Sequence, residues 1–354
     1  MNPTLRAIAC ATPDRRLERA QWIEIAQRIA PASVPIGLTT RLAERSGIER
    51  RWCAGADAPD EPAFYPHDPQ DGGPGTAARM RLWEHNARPL AVQASREALA
   101  EAGVQASEIT HVVTASCTGF AAPGIDLWLM QDAGLPRNCR RTHVGFMGCH
   151  AAVNALAVAA AFVRADPRAC VLVCCAEICS AHLHYGARLD RLIANTLFAD
   201  GAAAAVVSAD GPAHAPRIQC ADSVLIPDSA NAMGWHIGDH GFEMTLAATV
   251  PELLRQHVGP WTRACLERQS LEPAGVGAWA IHPGGPRVIE SVLASIGLSE
   301  DRGHASLEVL RRFGNMSSAT LLFILRDLWK ANAPRPWMAL AFGPGLVGES
   351  LLLR

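Results

Sequence analysis

Cys149, His282 and Asn315 each stand at the head of a segment able to aim them. Cys149 follows a short apolar run broken by Gly145 and Gly148, and an Ala-rich stretch without charge follows it as far as Arg164. That pattern predicts a strand, a tight turn and a buried helix, with the thiol at the helix N-terminus. Unpaired N–H groups and the macrodipole favour negative charge there, so a lowered thiol pKa is expected. A thiolate so placed is a nucleophile that can carry an acyl group as a thioester. His282, in the turn His282-Pro-Gly-Gly-Pro286 at a strand end, can stabilise that thiolate as an imidazolium and later donate to an oxyanion. Asn315 adds an N–H donor that is neutral at every working pH. Together the last two can hold the enolate left by a decarboxylating malonyl thioester. Each also has an ordinary structural use: a small core residue, a satisfied turn histidine and a helix N-cap.

The elements that must position them follow from periodicity. A strand is expected over 2–11, a helix over 18–29 and a short helix around Arg41 and Arg45. Arg50 and Arg51 continue that basic run, which reads as a solvated face or an anion-binding rim. Residues 54–76 are rich in Pro, Gly and Asp, as in a surface loop. Next come a helix over 88–102, a strand over 109–116, the Cys117-Thr118-Gly119 turn, a helix over 123–132 and a strand over 141–146. Core strands are expected over 169–175 and 201–208, with a boundary at 212–216. The pattern strand, Gly/Pro turn, helix and Phe-x-Gly-Cys recurs from 278 to 315, where Phe313-Gly-Asn315 stands before a helix. This predicts a duplication into halves 1–212 and 213–354 whose helix N-termini meet at one cleft.

A chain of 354 residues with net charge −2 and scattered basic residues is large enough for two packed halves and is no nucleic-acid binder. No signal peptide is legible in the first twenty residues, and the run 151–163 is too short to span a bilayer. Eleven cysteines, an odd number set on apolar strands, read as reduced thiols in a cytoplasm. Cys174, Cys175, Cys179, His182 and His184 suggest a metal site at first. Adjacent cysteines on a strand point to opposite faces, however, so they read as buried side chains and no metal is expected.

Gly148-Cys149 before an Ala-rich helix, Ile281-His282-Pro-Gly-Gly-Pro286, Gly314-Asn-Met-Ser-Ser-Ala319 and Phe342-Gly-Pro-Gly-Leu346 resemble the chalcone synthase family, the type III polyketide synthases, in a bacterial form. The resemblance covers essentially the whole chain. It implies an α/β thiolase-like fold, two pseudo-duplicated halves in a five-layer αβαβα sandwich. It also implies a homodimer that condenses malonyl-CoA onto a starter acyl-CoA, with no cofactor beyond those thioesters, to give a pyrone or a phenolic product.

By the same resemblance Cys149, His282 and Asn315 are the catalytic positions and Phe198 the gatekeeping aromatic. Met244 aligns with a second gatekeeper, Ala122 with a residue that reaches into the partner's cavity, and Cys117, Thr118 and Ser317 with the pocket wall. Arg41 and Arg45 fall at coenzyme A phosphate contacts, with Leu38 at a third and Arg287 as a substitute. The competing readings are a ketoacyl synthase of fatty-acid initiation, using malonyl on acyl carrier protein, and a non-catalytic partner subunit.

Overall fold

The computed structural model describes residues 2–55, 64–67 and 72–354, so positions 56–63 and 68–71 of the predicted 54–76 loop lie outside it. The strands are β1 (Thr4–Ala11), β2 (Arg16–Glu18), β3 (Arg50–Trp52), β4 (His111–Ser116), β5 (Arg140–Gly145), β6 (Cys170–Ile178), β7 (Asp200–Ser208), β8 (Ile218–Leu225), β9 (Met233–Gly238), β10 (Gly241–Leu246), β11 (Ala278–Ile281), β12 (Trp337–Gly343) and β13 (Val347–Leu353). The helices are α1 (Arg19–Ile29), α2 (Ile36–Arg45), α3 (Thr76–Ala102), α4 (Ile125–Asp132), α5 (Ala151–Ala165), α6 (Leu189–Leu197), α7 (Val250–Glu267), α8 (Pro286–Ile296), α9 (His304–Phe313) and α10 (Ala319–Lys330).

Strand alternation builds the layers, because successive side chains point to opposite faces. On β6, Leu172, Cys174 and Ala176 pack outward against α3 and α4, whereas Val171, Val173 and Cys175 pack inward against α5 and α10. The inner face of the second sheet, with Ala339, Ala341, Leu351 and Leu353, closes on the same two helices. Its outer face, with Trp279, Met338, Leu340 and Leu352, is covered by α7 and α8. The result is the five-layer sandwich that the resemblance implies. The run Gly148–Ala165 is long and apolar enough to cross a membrane, and it is this central helix between two sheets. Its buried side, with Val153, Leu156, Ala160 and Val163, packs between the sheets, whereas Ala161 and Arg164 on the other side are exposed.

The duplication is visible in the sheets. The first has the order β1-β7-β6-β4-β5 and the second β8-β13-β12-β11. Each runs antiparallel, antiparallel, parallel in that order. No strand of the second sheet matches β5 among the described residues. That stretch holds α9 instead, followed by a single bridge between Phe198 and Asn315.

Helix α3 begins at Thr76, twelve residues ahead of the predicted start, and carries Pro89 inside it. Proline removes one helical hydrogen bond, but Trp83, Ala87, Leu90, Ala94 and Ala98 bury a continuous face, and that packing outweighs the break.

Candidate active site

Cys149 lies in a 3-10 turn, Gly148–His150, between the end of β5 and α5. The turn depends on Gly148, whose φ is +77° and whose hydrogen faces Pro344. The segment Phe342-Gly-Pro-Gly-Leu346 therefore serves as a floor: Gly343 faces the ring of His150 as closely as Gly148 faces Pro344.

From the other half, Gly314 turns the chain ahead of α10 and sets Asn315 and Ser317 against the thiol. Ser317 Oγ donates to Cys149 Sγ at 3.6 Å and lies 2.9 Å from Cys117 Sγ. Asn315 is not the cap of α10, a position held by Ser318. Its Oδ1 accepts from the Ser317 N–H at 2.8 Å, which turns its Nδ2 donors toward the Cys149 sulfur. His282 ends β11 and is held by its backbone N–H on Leu340. Its imidazole is buried, neither ring nitrogen has a partner among the described residues, and it lies within electrostatic reach of His150.

The expected thiolate is not what burial at this site favours. Burial pushes the Cys149 thiol up to about 12, although hydrogen bonds from Ser317 and Asn315 pull it the other way. Burial likewise pushes His282 down to about 3. A helix N-terminus contributes about 0.3–1 kcal/mol, less than one pKa unit, which desolvation exceeds. Neither group bears a charge alone; only a pair of opposite charges offsets the cost.

A narrow cavity of about 20 Å³, room for about one water, opens on Cys149. Cys117, Thr118, Phe198, Met244 and Ser317 line it, together with Cys179, Met233 and Trp235. His282 and Asn315 are buried and do not line it. Ala122 is no part of it: the chain turns outward after Thr118 and leaves this residue exposed. A larger cavity, about 60 Å³, lies between β8, β13 and α7, away from these residues.

Met233 and Trp235 went unseen because the hairpin β9–β10 was not anticipated. The signal was the period-two series Met233, Trp235, Ile237 and Phe242, Met244, Leu246 around Gly-Asp-His-Gly. In register, Trp235 pairs with Met244, so both face the cavity. Trp235 Nε1 donates to Cys117 O at 2.7 Å, and His182 bridges Thr118 O (2.6 Å) and Phe242 N (3.0 Å). His184 donates to Phe242 O. His182 thus clips the hairpin to the turn, His184 holds it to the segment before α6, and Cys174 and Cys175 divide between the two faces of β6.

Glu177, also unforeseen, is fully buried and gathers the N–H groups of Cys117 and Thr118 and the hydroxyls of Ser116, Thr118 and Ser318. It ties the two halves together beneath the thiol.

Arg41 and Arg45 share the exposed face of α2, and Arg287 is exposed in the first turn of α8. A Cβ on Gly47 would lie 3.4 Å from Pro286, so the loop after α2 touches the start of α8. Arg51 leaves this group altogether: it is buried, and its guanidinium donates to the carbonyls of Thr196 and Phe198.

The family model for chalcone and stilbene synthases, N-terminal domain, matches residues 2–211, and that for the C-terminal domain matches 217–354. The alpha-pyrone synthesis polyketide synthase-like Pks18 of Mycobacterium tuberculosis is 35% identical over 283 residues, 77% of this chain and 72% of that protein. The 1,3,6,8-tetrahydroxynaphthalene synthase of Streptomyces peucetius is 34% identical over 273 residues, 75% of this chain and 72% of that one. The crystal structure of PKS-I from the brown alga Ectocarpus siliculosus superimposes with a TM-score of 0.93 at 29% identity, covering 100% of this chain and 98% of that one.

Proposed function

Because this chain belongs to the chalcone and stilbene synthase family and is an acyltransferase of the type III polyketide synthase kind, we infer that Cys149 is the residue on which its polyketide grows. The observation that carries this reading is the contact of one thiol with both halves: Cys149 from the first meets Ser317 and Asn315 from the second.

Cys149 Sγ attacks the thioester carbonyl of a starter acyl-CoA as its proton passes to His282, the bond to coenzyme A breaks, and coenzyme A leaves as the thiol by taking that proton back from His282. Malonyl-CoA then takes the place that coenzyme A has left. Its C2–carboxylate bond breaks, carbon dioxide departs, and the electron pair forms an enolate whose oxygen accepts hydrogen bonds from His282 and from Asn315 Nδ2. An orphaned buried imidazole is costly, and the thioester oxygen supplies the missing partner. The enolate carbon attacks the Cys149 thioester, the new C–C bond expels the thiolate, and the extended chain leaves on coenzyme A. Reloading onto Cys149 and repetition lead to cyclisation into a pyrone or a phenolic ring. Proton transfer and hydrogen bonding suffice for every step, so the reading asks for no metal or prosthetic group.

Arg41, Arg45 and Arg287 hold the coenzyme A phosphates, since they are exposed, adjacent and without ion-pair partners among the described residues. The homodimer reading is supported by β5, an unpaired sheet edge, and by exposed Phe120 and Met147 beside Ala122 and the Cys149 turn. A reduced cytoplasm suits a thiol nucleophile among free cysteines.

The test is mass spectrometry of products from malonyl-CoA with a panel of acyl-CoA starters, for wild type and Cys149→Ala. Removing the thiol abolishes condensation while taking away little volume. Condensation at the wild-type rate in that variant overturns the assignment. Turnover only with carrier-protein-bound malonate would favour the ketoacyl synthase reading.

A further inference from the structure

Helix α6 ends at Leu197, and its last carbonyls lack helical partners. Two buried side chains from the N-terminal arm satisfy them. Trp22 Nε1 donates to Asn195 O at 2.9 Å, and the two arms of the Arg51 guanidinium reach Thr196 O and Phe198 O, each at 2.8 Å. The guanidinium lies over the Trp22 ring, 4.2 Å from its centre, and both residues are almost wholly inaccessible. A cation at a helix C-terminus complements the macrodipole, and a planar fork holds two carbonyls at once where an ammonium cannot.

The backbone held in this way continues into the site. Leu197 O accepts from the Asn315 N–H at 3.0 Å, and the Ala199 N–H donates to Asn315 O at 2.8 Å. Residues 197–199 thus carry the Phe198 ring on one side and fix Asn315 on the other.

We propose that Arg51 is a positioning residue that sets Phe198 and Asn315 together, so that the gate and the enolate-binding amide share one buried anchor. The proposal rests on the functional reading above. Arg51 touches no reacting atom. Its loss therefore falls chiefly on the step that uses Asn315 and on starter selection by Phe198, and much less on the attack of Cys149, which keeps its contact with Ser317. It also links the arm bearing Arg41 and Arg45 to the gate, because α2 runs through Gly47 directly into β3.

Arg51→Lys keeps the charge and reaches one carbonyl; Arg51→Met keeps the stem and reaches neither. Two rates are compared with wild type: the burst of coenzyme A released as Cys149 is acylated, and carbon dioxide released from malonyl-CoA. We expect decarboxylation to fall at least about tenfold in Arg51→Met and by less in Arg51→Lys. The acylation burst should stay within about twofold, and the range of accepted starter lengths should widen. If the methionine variant does not fold, the lysine variant decides by the same ratio. Equal losses in both steps, or an unchanged ratio and starter range, overturn the proposal. A wild-type enzyme that releases no carbon dioxide from malonyl-CoA overturns the functional reading instead.

Discussion

Gly148 and Pro344 are packed so closely that a Cβ on the glycine would fall 2.3 Å from the proline Cδ. The residue before the nucleophile is thus held by a turn from the other half, and its φ of +77° excludes most side chains as well. Gly148→Ala should cost about 1–3 kcal/mol and displace Cys149. Thermal melting should show a modest loss, and the acylation burst should slow by about tenfold or more. An unchanged burst would mean that the turn relaxes without moving the thiol.

Alkylation of Cys149 tests its coupling to His282. Burial is the largest cause holding the thiol up, against the hydrogen bonds from Ser317 and Asn315, so reactivity at neutral pH requires a proton acceptor beside it. The thiolate is lost as pH falls below the thiol's pKa, and an adjacent imidazolium moves that loss to lower pH. The wild-type rate should therefore rise at a lower pH than that of His282→Ala, which should react at least about tenfold more slowly at pH 7. Superimposable profiles would show that the two residues are not partners.

The exposed arginines should act on binding and not on chemistry. Arg41→Ala, Arg45→Ala and Arg287→Ala should each raise KM for coenzyme A thioesters by about two- to fivefold, as for a solvent-screened contact of up to about 1 kcal/mol. kcat should change little. Pantetheine thioesters, lacking the phosphates, should not respond. Equal responses on both substrate types would make these arginines structural.

Met244 faces the cavity opposite Trp235, and its unbranched thioether can swing aside for an aliphatic chain where a ring would form a wall. Wild type should accept aliphatic, including long-chain, acyl-CoA starters, and Met244→Phe should shorten the preferred starter without abolishing turnover on acetyl-CoA. Ala122, exposed on its own subunit, should alter starter length as Ala122→Trp only when a second copy covers it. Starter panels run alongside light scattering separate the two effects. Wild-type enzyme that ignores fatty acyl-CoAs of every length would refute the expectation for Met244.

By itself the sequence determined the local elements and the chemistry they carry. Apolar runs such as 169–175 and 201–208, which form strands at 170–178 and 200–208, and the apolar helix after Cys149 were legible because burial leaves few polar residues to confuse the pattern. The motifs around Cys149, His282 and Asn315 were legible because turns and reactive side chains restrict residue type over a few positions. Tertiary structure alone decided what depends on contacts between distant segments. Arg51 belonged to a basic run in sequence, yet partners some 145 residues away bury it. Glu177 lies just past the strand expected over 169–175, and only the convergence of donors from both halves gives it a role. The charge state of Cys149 turned on the balance between a helix terminus, which is local, and desolvation by surrounding elements, which is not. Desolvation depends on everything packed around a group, and no window of sequence contains that sum.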